Sequence, residues 1–442
     1  MSLLQTPSTS PSRPMSLTDI HASSIISAFE ILKAKFRAVS ASSPYSIRRA
    51  QKKAVSSADN ELRHATMRFD PRHYKNAHFV TQLLTCCRTL AVPHWSGDIS
   101  PDKVVVRKVS GSLTNAVFFV SCPTLHYVPT ILLRIYGPSS GSLISRPKEL
   151  NTLHILSSQY SIGPRIYGTF DNGRIEEYFE STTLTPADIR DPAISRWIGA
   201  RMAELHSVDI SVVDISSKEQ RDDTVKRNVA AWLEPAQAVL ALPSLPEYAR
   251  QDLDLERFRT DWDKYIRWLS KVDDVKSGGR RVFAHNDTQY GNLLRLKQVQ
   301  QGLQEHYQIV VVDFEYAGPN PAAYDIANHF HEWTANYHSS APHILNFSNY
   351  PNAEERRNFY AAYLGQSRTN APGVQTLYDK LDKQVTYWSP ASHAMWALWG
   401  IVQAREDVEG NVQQQQEFDY IAYAQCRMAA FRRELHSLGV LY

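Results

Sequence analysis

Apolar and polar positions divide the chain into three regimes. Residues 1–20 have no apolar rhythm, and Pro7, Pro11 and Pro14 lie among Ser and Thr, which predicts a weakly ordered tail. Residues 21–74 read as an extension in which HASSIISAFEILKAKF can form a short helix. In residues 75–92, Phe79, Leu83, Leu84 and Leu90 fall roughly on one face and predict a firmer helix. From residue 103 the period shortens. VVVRKV, AVFFVSC and HYVPTILLRIYG read as strands, and helical spacing follows at Leu150, Leu153 and Leu156. GPRIYGTFDNGRIEEYF then reads as two strands joined at Asn172-Gly173, a pair that favours a tight hairpin turn. Residues 75–178 thus predict a small antiparallel-sheet lobe carrying one helix.

Beyond residue 179 the pattern is mainly helical. PAISRWIGARMAELHSV has helical spacing from Pro192, and segments within 229–270, 355–364 and 390–404 follow it. One strand-rich interruption, RRVFAHND followed by GNLLRLKQV and YQIVVVDFEYAG, suggests a strand running into a loop and then a hairpin. The expected fold class is α+β, with a small antiparallel-sheet lobe at 75–178 and a larger, mainly helical lobe at 179–442. The Gln run at 413–416 and the segments 208–228 and 296–307 read as polar, exposed loops.

Composition narrows the function without choosing it. The 442 residues carry 48 basic and 45 acidic side chains, a formal charge of +3, which gives no case for a general nucleic-acid binder. No apolar run reaches membrane-span length, and no secretory signal pattern opens the chain. The four cysteines form no CxxC pair, which fits a reducing compartment; a cytoplasmic location is expected.

The candidate chemistry lies in HNDTQYGN, residues 285–292, directly after the apolar strand VFA. About twenty residues later a second apolar strand ends in Asp313. Two carboxylates and one amide thereby sit where strands give way to loops. Asp and Asn oxygens suit Mg²⁺, a hard cation that also keeps phosphate and water ligands. One Asp can accept a proton from a hydroxyl while another holds metal against phosphates. There is no GxxxxGK[ST] loop, so a P-loop ATPase is disfavoured.

HNDTQYGNLL, VVVDFEYAGPNPAAYDIANHFHEW, HAMWALWGIVQA and YAQCR together resemble the choline/ethanolamine kinase family of protein-kinase-like phosphotransferases, over roughly residues 100–440. The resemblance implies ATP-dependent phosphorylation of the choline hydroxyl, the first step of phosphatidylcholine synthesis by the CDP-choline route. It implies Asp287 as base, with Gln289 beside it. Asn292 and Asp313 would be Mg²⁺ ligands, and His285 and Asp325 would order the loop. On the nucleotide side it implies a phosphate-covering loop at Ser110, Gly111, Ser112, Thr114 and Asn115. Ser112 there replaces a second glycine. Arg134 would meet the phosphates with Glu149 as its ion-pair partner. Glu177 and Tyr178 would form the adenine hinge, with Glu177 where the family often has Gln.

For the acceptor, a small amino alcohol, the resemblance implies a cage of Tyr316, Glu332, Tyr337, Trp396, Trp399 and Tyr423. Aromatic faces attract a quaternary ammonium through cation–π interaction, and a carboxylate adds longer-range attraction. It also implies a homodimer. Ethanolamine kinase, a dual enzyme and an inactive scaffold relative remain as alternatives.

Overall fold

Alternation along one strand organises the smaller lobe. In β4 (Ile131–Tyr136), Ile131, Leu133 and Ile135 are buried, whereas Leu132, Arg134 and Tyr136 lie on the other face. Their apolar side meets α1 (Ala77–Thr89), whose Phe79, Leu83, Leu84 and Cys87 are buried in the same core. Asn76 caps α1 by accepting from the His78 amide. The computed structural model describes residues 62–109, 115–136, 146–213, 223–276, 278–298, 302–365, 373–410 and 418–442. The expected N-terminal tail, the 21–36 helix, the glutamine run and Ser110, Gly111, Ser112 and Thr114 lie outside these residues.

The sheet holds β1 (His64–Ala65), β2 (Val105–Lys108), β3 (Asn115–Ser121), β4, β5 (Ile166–Phe170) and β6 (Gly173–Glu177), in the order β1-β5-β6-β4-β3-β2. All pairs are antiparallel except β1 with β5. β1 was not expected, and it lies N-terminal to the boundary set at residue 75. Two residues carry no readable period, so only tertiary pairing defines them as a strand. Asn172 in the β5–β6 turn clamps this segment, accepting from the Phe69 amide at 3.0 Å and donating to the Phe69 carbonyl at 2.8 Å. Phe69 packs against Phe79 and Phe170. α2 (Arg146–Ile155) fills the expected helical position between β4 and β5.

β7 (Ser181–Thr183) leads into the helical lobe. α3 (Pro192–His206) begins at Pro192, with Asp191 as its cap. α4 (Thr224–Leu240) and α5 (Leu255–Val272) follow. β8 (Arg281–Ala284) pairs with β11 (Gly318–Pro321), while β9 (Leu293–Leu296) and β10 (Ile309–Val311) form the expected hairpin, with β7 at its edge. β11 was not assigned from the sequence, because GPNP carries no strand period. It serves as a strand in a sheet of only two, where missing proline donors are tolerated.

α6 (Ala322–Glu332) is buried on every side. α7 (Ala353–Tyr363) carries a capping box of Asn352 and Glu355. α8 (Val374–Gln403) starts sixteen residues before the expected 390, because Pro390 reads as a boundary yet is accommodated inside the helix. α9 (Tyr420–Ser437) packs along α8.

The β5–β6 hairpin supplies a stability test. A Cβ on Gly173 would stand 2.2 Å from the Arg134 backbone carbonyl, whereas one on Gly97 meets nothing within 4 Å. Gly173→Ala should destabilise the protein by about 1–3 kcal/mol, and Gly97→Ala by no more than about 0.5 kcal/mol. Denaturant melts of the two variants check this; equal midpoints would contradict the packing described.

Candidate active site

The loop that follows β8 is held by a buried carboxylate. Asp325, on α6 and without solvent exposure, accepts from the backbone amides of His285 at 2.9 Å and Asn286 at 2.8 Å. Its Oδ2 also meets His206 Nε2 at 2.9 Å, and Tyr363 holds the other ring nitrogen at 2.8 Å. Burial acts to raise the Asp325 pKa, but the His206 hydrogen bond and charge, with His285, hold it below the usual carboxylate range. Asp325 is thus brought together with the backbone that leads into Asp287. His206 was missed, because a histidine at a helix end more than a hundred residues away carries no local signal.

His285 joins the two acidic segments. Its Nε2–H donates to the Val312 carbonyl at 3.0 Å, and its Nδ1 accepts from the Asp287 amide at 3.3 Å. Burial lowers its pKa, so the neutral ring makes one bond of each kind. The Val312 amide donates to the Asn292 carbonyl at 3.0 Å, which sets Asn292 beside the strand end that carries Asp313. Asn286 and Asp313 both have left-handed backbones, φ 66° and 65°. Asn and Asp tolerate that region better than other side chains.

At the loop's tip, Asn292 Nδ2 donates to the Asp287 carbonyl at 2.9 Å and to Asp287 Oδ2 at 2.8 Å. This leaves Oδ1 of Asp287 for a proton and the side-chain oxygen Oδ1 of Asn292 for a cation. Burial, then the neighbouring charges of Glu332, Asp313 and Glu315, push the Asp287 pKa well up. A cation in this cluster would therefore be bound with appreciable gain. Asp313 Oδ1 is buried and has no hydrogen-bond partner, as a metal-ligand oxygen would be left. The donor set, all oxygen, fits Mg²⁺. Gln289, two residues after Asp287, has its Oε1 2.9 Å from where a Cβ on Gly291 would lie.

The open face of the sheet supplies cations. Arg134 Nε meets Glu176 at 3.4 Å, and its Nη1 lies 4.0 Å from Asp313 Oδ2, so it bridges the lobes. Its expected pairing with Glu149 is corrected. Glu149 binds Arg174 at 2.7 Å, and Arg174 also binds Glu176 at 2.9 Å. Strand register explains the exchange: Arg134 and Arg174 sit directly opposite each other, and Glu176 lies between them on the same face. Burial opposes the Arg174 charge, but Glu176 and then Glu149 hold its pKa above the ordinary value. At the end of β6, Glu177 places a carboxylate oxygen 3.2 Å from the Arg165 amide, and Tyr178 packs its ring on Phe119. Asn115 opens β3.

The aromatic residues converge. Tyr316 stands edge-on to Trp396, Trp396 to Trp399, and Trp399 to Tyr423, with centroids 5.4, 5.4 and 6.0 Å apart. Trp399 Nε1 donates to the Tyr316 hydroxyl at 2.8 Å. Phe418 and Tyr420, which the sequence reading missed, extend this group toward Tyr337 and Trp399. Glu332 is paired at both carboxylate oxygens. Arg427 donates to its Oε1 at 3.1 Å and Tyr337 to its Oε2 at 2.8 Å. Arg427 also binds the Tyr423 hydroxyl at 3.0 Å. The motif containing Arg427 was visible, but nothing in one sequence pairs it with a residue 95 positions earlier.

Behind Glu332, His331 and His393 stack with centroids 3.9 Å apart and planes 13° apart, near Glu434. Nearly parallel rings send their nitrogen lone pairs along parallel planes rather than toward one ion. Burial depresses the pKa of both.

Known proteins carry the same arrangement of sequence and fold. The profile described as choline/ethanolamine kinase matches residues 106–432. A choline kinase of Schizosaccharomyces pombe is 35% identical, over 74% of this chain and 77% of its own. A choline kinase of Saccharomyces cerevisiae is 30% identical, over 81% and 76%. The crystal structure of a choline kinase from Cryptosporidium parvum Iowa II superposes with a TM-score of 0.66 at 27% identity, covering 82% of this chain and 97% of that one. The bilobal α+β architecture is therefore that of the protein-kinase-like phosphotransferases, and the chain belongs to the choline/ethanolamine kinase family.

Proposed function

We propose that the protein transfers the γ-phosphoryl group of ATP to the hydroxyl of choline, giving phosphocholine. The observation that carries this reading is the junction of a carboxylate loop with an aromatic cage: Asn286, one residue before Asp287, donates to the carbonyl of the cage residue Tyr316 at 2.8 Å. A group that can take a proton thus stands beside walls suited to a cation without donors. Tyr316, Trp396, Trp399 and Tyr423 surround the ammonium head. Glu332 and Arg427 orient Tyr337 and Tyr423 toward it. Asp287 aligns the hydroxyl and takes its proton on Oδ1, while Asn292 holds Oδ2 in place. The positive head of the substrate lowers the raised pKa of Asp287 by direct attraction.

Asp313 and Asn292 would hold Mg²⁺, which supplies charge neutralisation between the phosphates of bound ATP. Arg134 would bind phosphate oxygens from the small lobe, released from its long contact with Asp313. The segment 110–115 would cover them, and the backbone beside Glu177 and Tyr178 would take the adenine. Gln289 would line the acceptor side. Ethanolamine is the second reading, because a primary ammonium also fits an aromatic and acidic pocket. All four cysteines are free thiols, which fits the cytoplasm as the place of action. The homodimer is proposed on resemblance alone, and light scattering of the purified protein checks it.

Steady-state kinetics with choline and ethanolamine, each with Mg·ATP, test the reading directly. A higher kcat/KM for ethanolamine would replace it with the second. Asp287→Asn should lower kcat by about 10²–10⁴-fold with little change in the KM for ATP, since the amide keeps the shape but cannot take the proton. Turnover within about threefold of the parent would remove the assignment. Asp313→Ala should move the Mg²⁺ activation curve to higher concentration and lower its maximum, and Asn292→Ala should move it less. An unchanged curve for Asp313→Ala would mean that Asp313 binds no metal. Trp399→Leu should raise the KM for choline by about fivefold to thirtyfold, as expected for one desolvated cation–π contact. Its loss also frees the Tyr316 hydroxyl. A lower melting point with normal choline affinity would make Trp399 a packing residue instead.

A further inference from the structure

Choline presents two chemical ends, a hydroxyl and a trimethylammonium group, joined by two carbons. An enzyme can measure that spacer only if the proton acceptor and the cage are held at a fixed separation. One side chain spans the two. Asn328, on α6 and fully buried, donates from Nδ2 to the backbone carbonyl of Asn286 at 3.1 Å. Its Oδ1 accepts from Trp396 Nε1 at 2.7 Å and from the Ser392 hydroxyl at 2.7 Å.

The orientation of this amide is forced. An indole N–H can only donate, and a backbone carbonyl can only accept, so a flipped Asn328 would lose both bonds. Asn286 immediately precedes Asp287, and Trp396 is a cage wall. The planar amide therefore acts as a rigid strut between the base and the ammonium site. Asn286 adds a second tie through its bond to the Tyr316 carbonyl, and its own oxygen accepts from Asn320 at 2.7 Å. Rotation of residue 286 is checked at both ends of its side chain.

The next residue of α6 makes a useful contrast. His329 Nδ1 donates to the carbonyl of Thr288 at 2.9 Å, bracing the other side of Asp287. Its Nε2 accepts from Trp333, and burial pulls its pKa down to about 4, so the ring is neutral. His329 supports the loop but bonds to no cage residue by either ring nitrogen.

We propose that Asn328 is a positioning residue that fixes the distance between Asp287 and the ammonium cage, and thereby selects a two-carbon amino alcohol over longer ones. This rests on the choline-phosphorylating reading above. A substrate with one more methylene would place its hydroxyl beyond the aligned position when its head is seated. Near-attack geometry is steeply sensitive to displacements of about 1 Å.

The test compares kcat/KM for choline with that for (3-hydroxypropyl)trimethylammonium. Both carry the same head, so any loss of cation–π attraction cancels in the ratio. Asn328→Ala should lower the choline preference by about tenfold or more, chiefly through a fall in kcat for choline, with the KM for ATP held. Trp396→Phe keeps a smaller aromatic wall and removes the indole donor; because both substrates carry the same head, it should shift the ratio in the same direction even if Asn328→Ala fails to fold. His329→Ala should slow both substrates in equal proportion. A ratio within about twofold of the parent in both Asn328→Ala and Trp396→Phe would overturn the proposal and leave Asn328 as a brace of the fold. A parent protein that phosphorylates neither alcohol would instead overturn the choline reading itself, and this inference with it.

Discussion

Everything chemical in this protein hangs on a carboxylate that never meets water. Asp325 gathers the amides of His285 and Asn286 and one nitrogen of His206 around two oxygens. An unpaired charge at that depth would cost about 3–5 kcal/mol, so the three donors and the carboxylate require one another. Because those amides belong to the residues leading into Asp287, the requirement fixes the path of the loop. The left-handed turn at Asn286 is then held by its surroundings rather than by its own preference. α6 can carry so many polar groups inside the protein because each has a defined partner. Asn328, His329 and Glu332 all find theirs in the loop or the cage.

The electrostatics of the two halves follow a common rule. Acidic groups outnumber their immediate cations around Asp287, while the sheet face and the cage interleave the two signs. Arg134 and Arg174 share Glu176, and Arg427 shares its charge between Glu332 and the Tyr423 hydroxyl. The centre is thus left ready for added positive charge, and its flanks are balanced without ligand. That arrangement suits a reaction in which a cationic alcohol meets a polyanion.

Much of this was legible in the sequence, and the limits have physical causes. The carboxylate loop could be read because its residues are consecutive and follow an apolar strand. The cage could be read because Trp396 and Trp399 share a helix face and the remaining positions came with the family resemblance. Arg174 as the partner of Glu149 could not, because strand register decides which of two opposed arginines reaches it. The charge state of the cage escaped for a similar reason, since Arg427 and Glu332 meet only when α6 and α9 are folded together. β11 was not read at all, because GPNP has no strand period and only its pairing with β8 makes it a strand. Asn328 was printed inside the most recognisable motif. Its two-ended bonding still depends on Trp396, 68 positions away.

The short strand β1 bears on what counts as the smallest foldable piece of this protein. The family model matches from residue 106, yet residues 62–103 contribute Ala65, Phe69, Phe79, Leu83 and Leu84 to the core beneath the same sheet. They also cover the outer edge of β5 and occupy both hydrogen-bonding groups of Asn172. A chain trimmed to the recognisable span would expose an unpaired strand edge beside a vacated apolar surface, the combination that drives sheets to pair with one another between molecules. Residues 62–103, which supply none of the side chains of the candidate site, thus cover a sheet edge that would otherwise be open to other molecules.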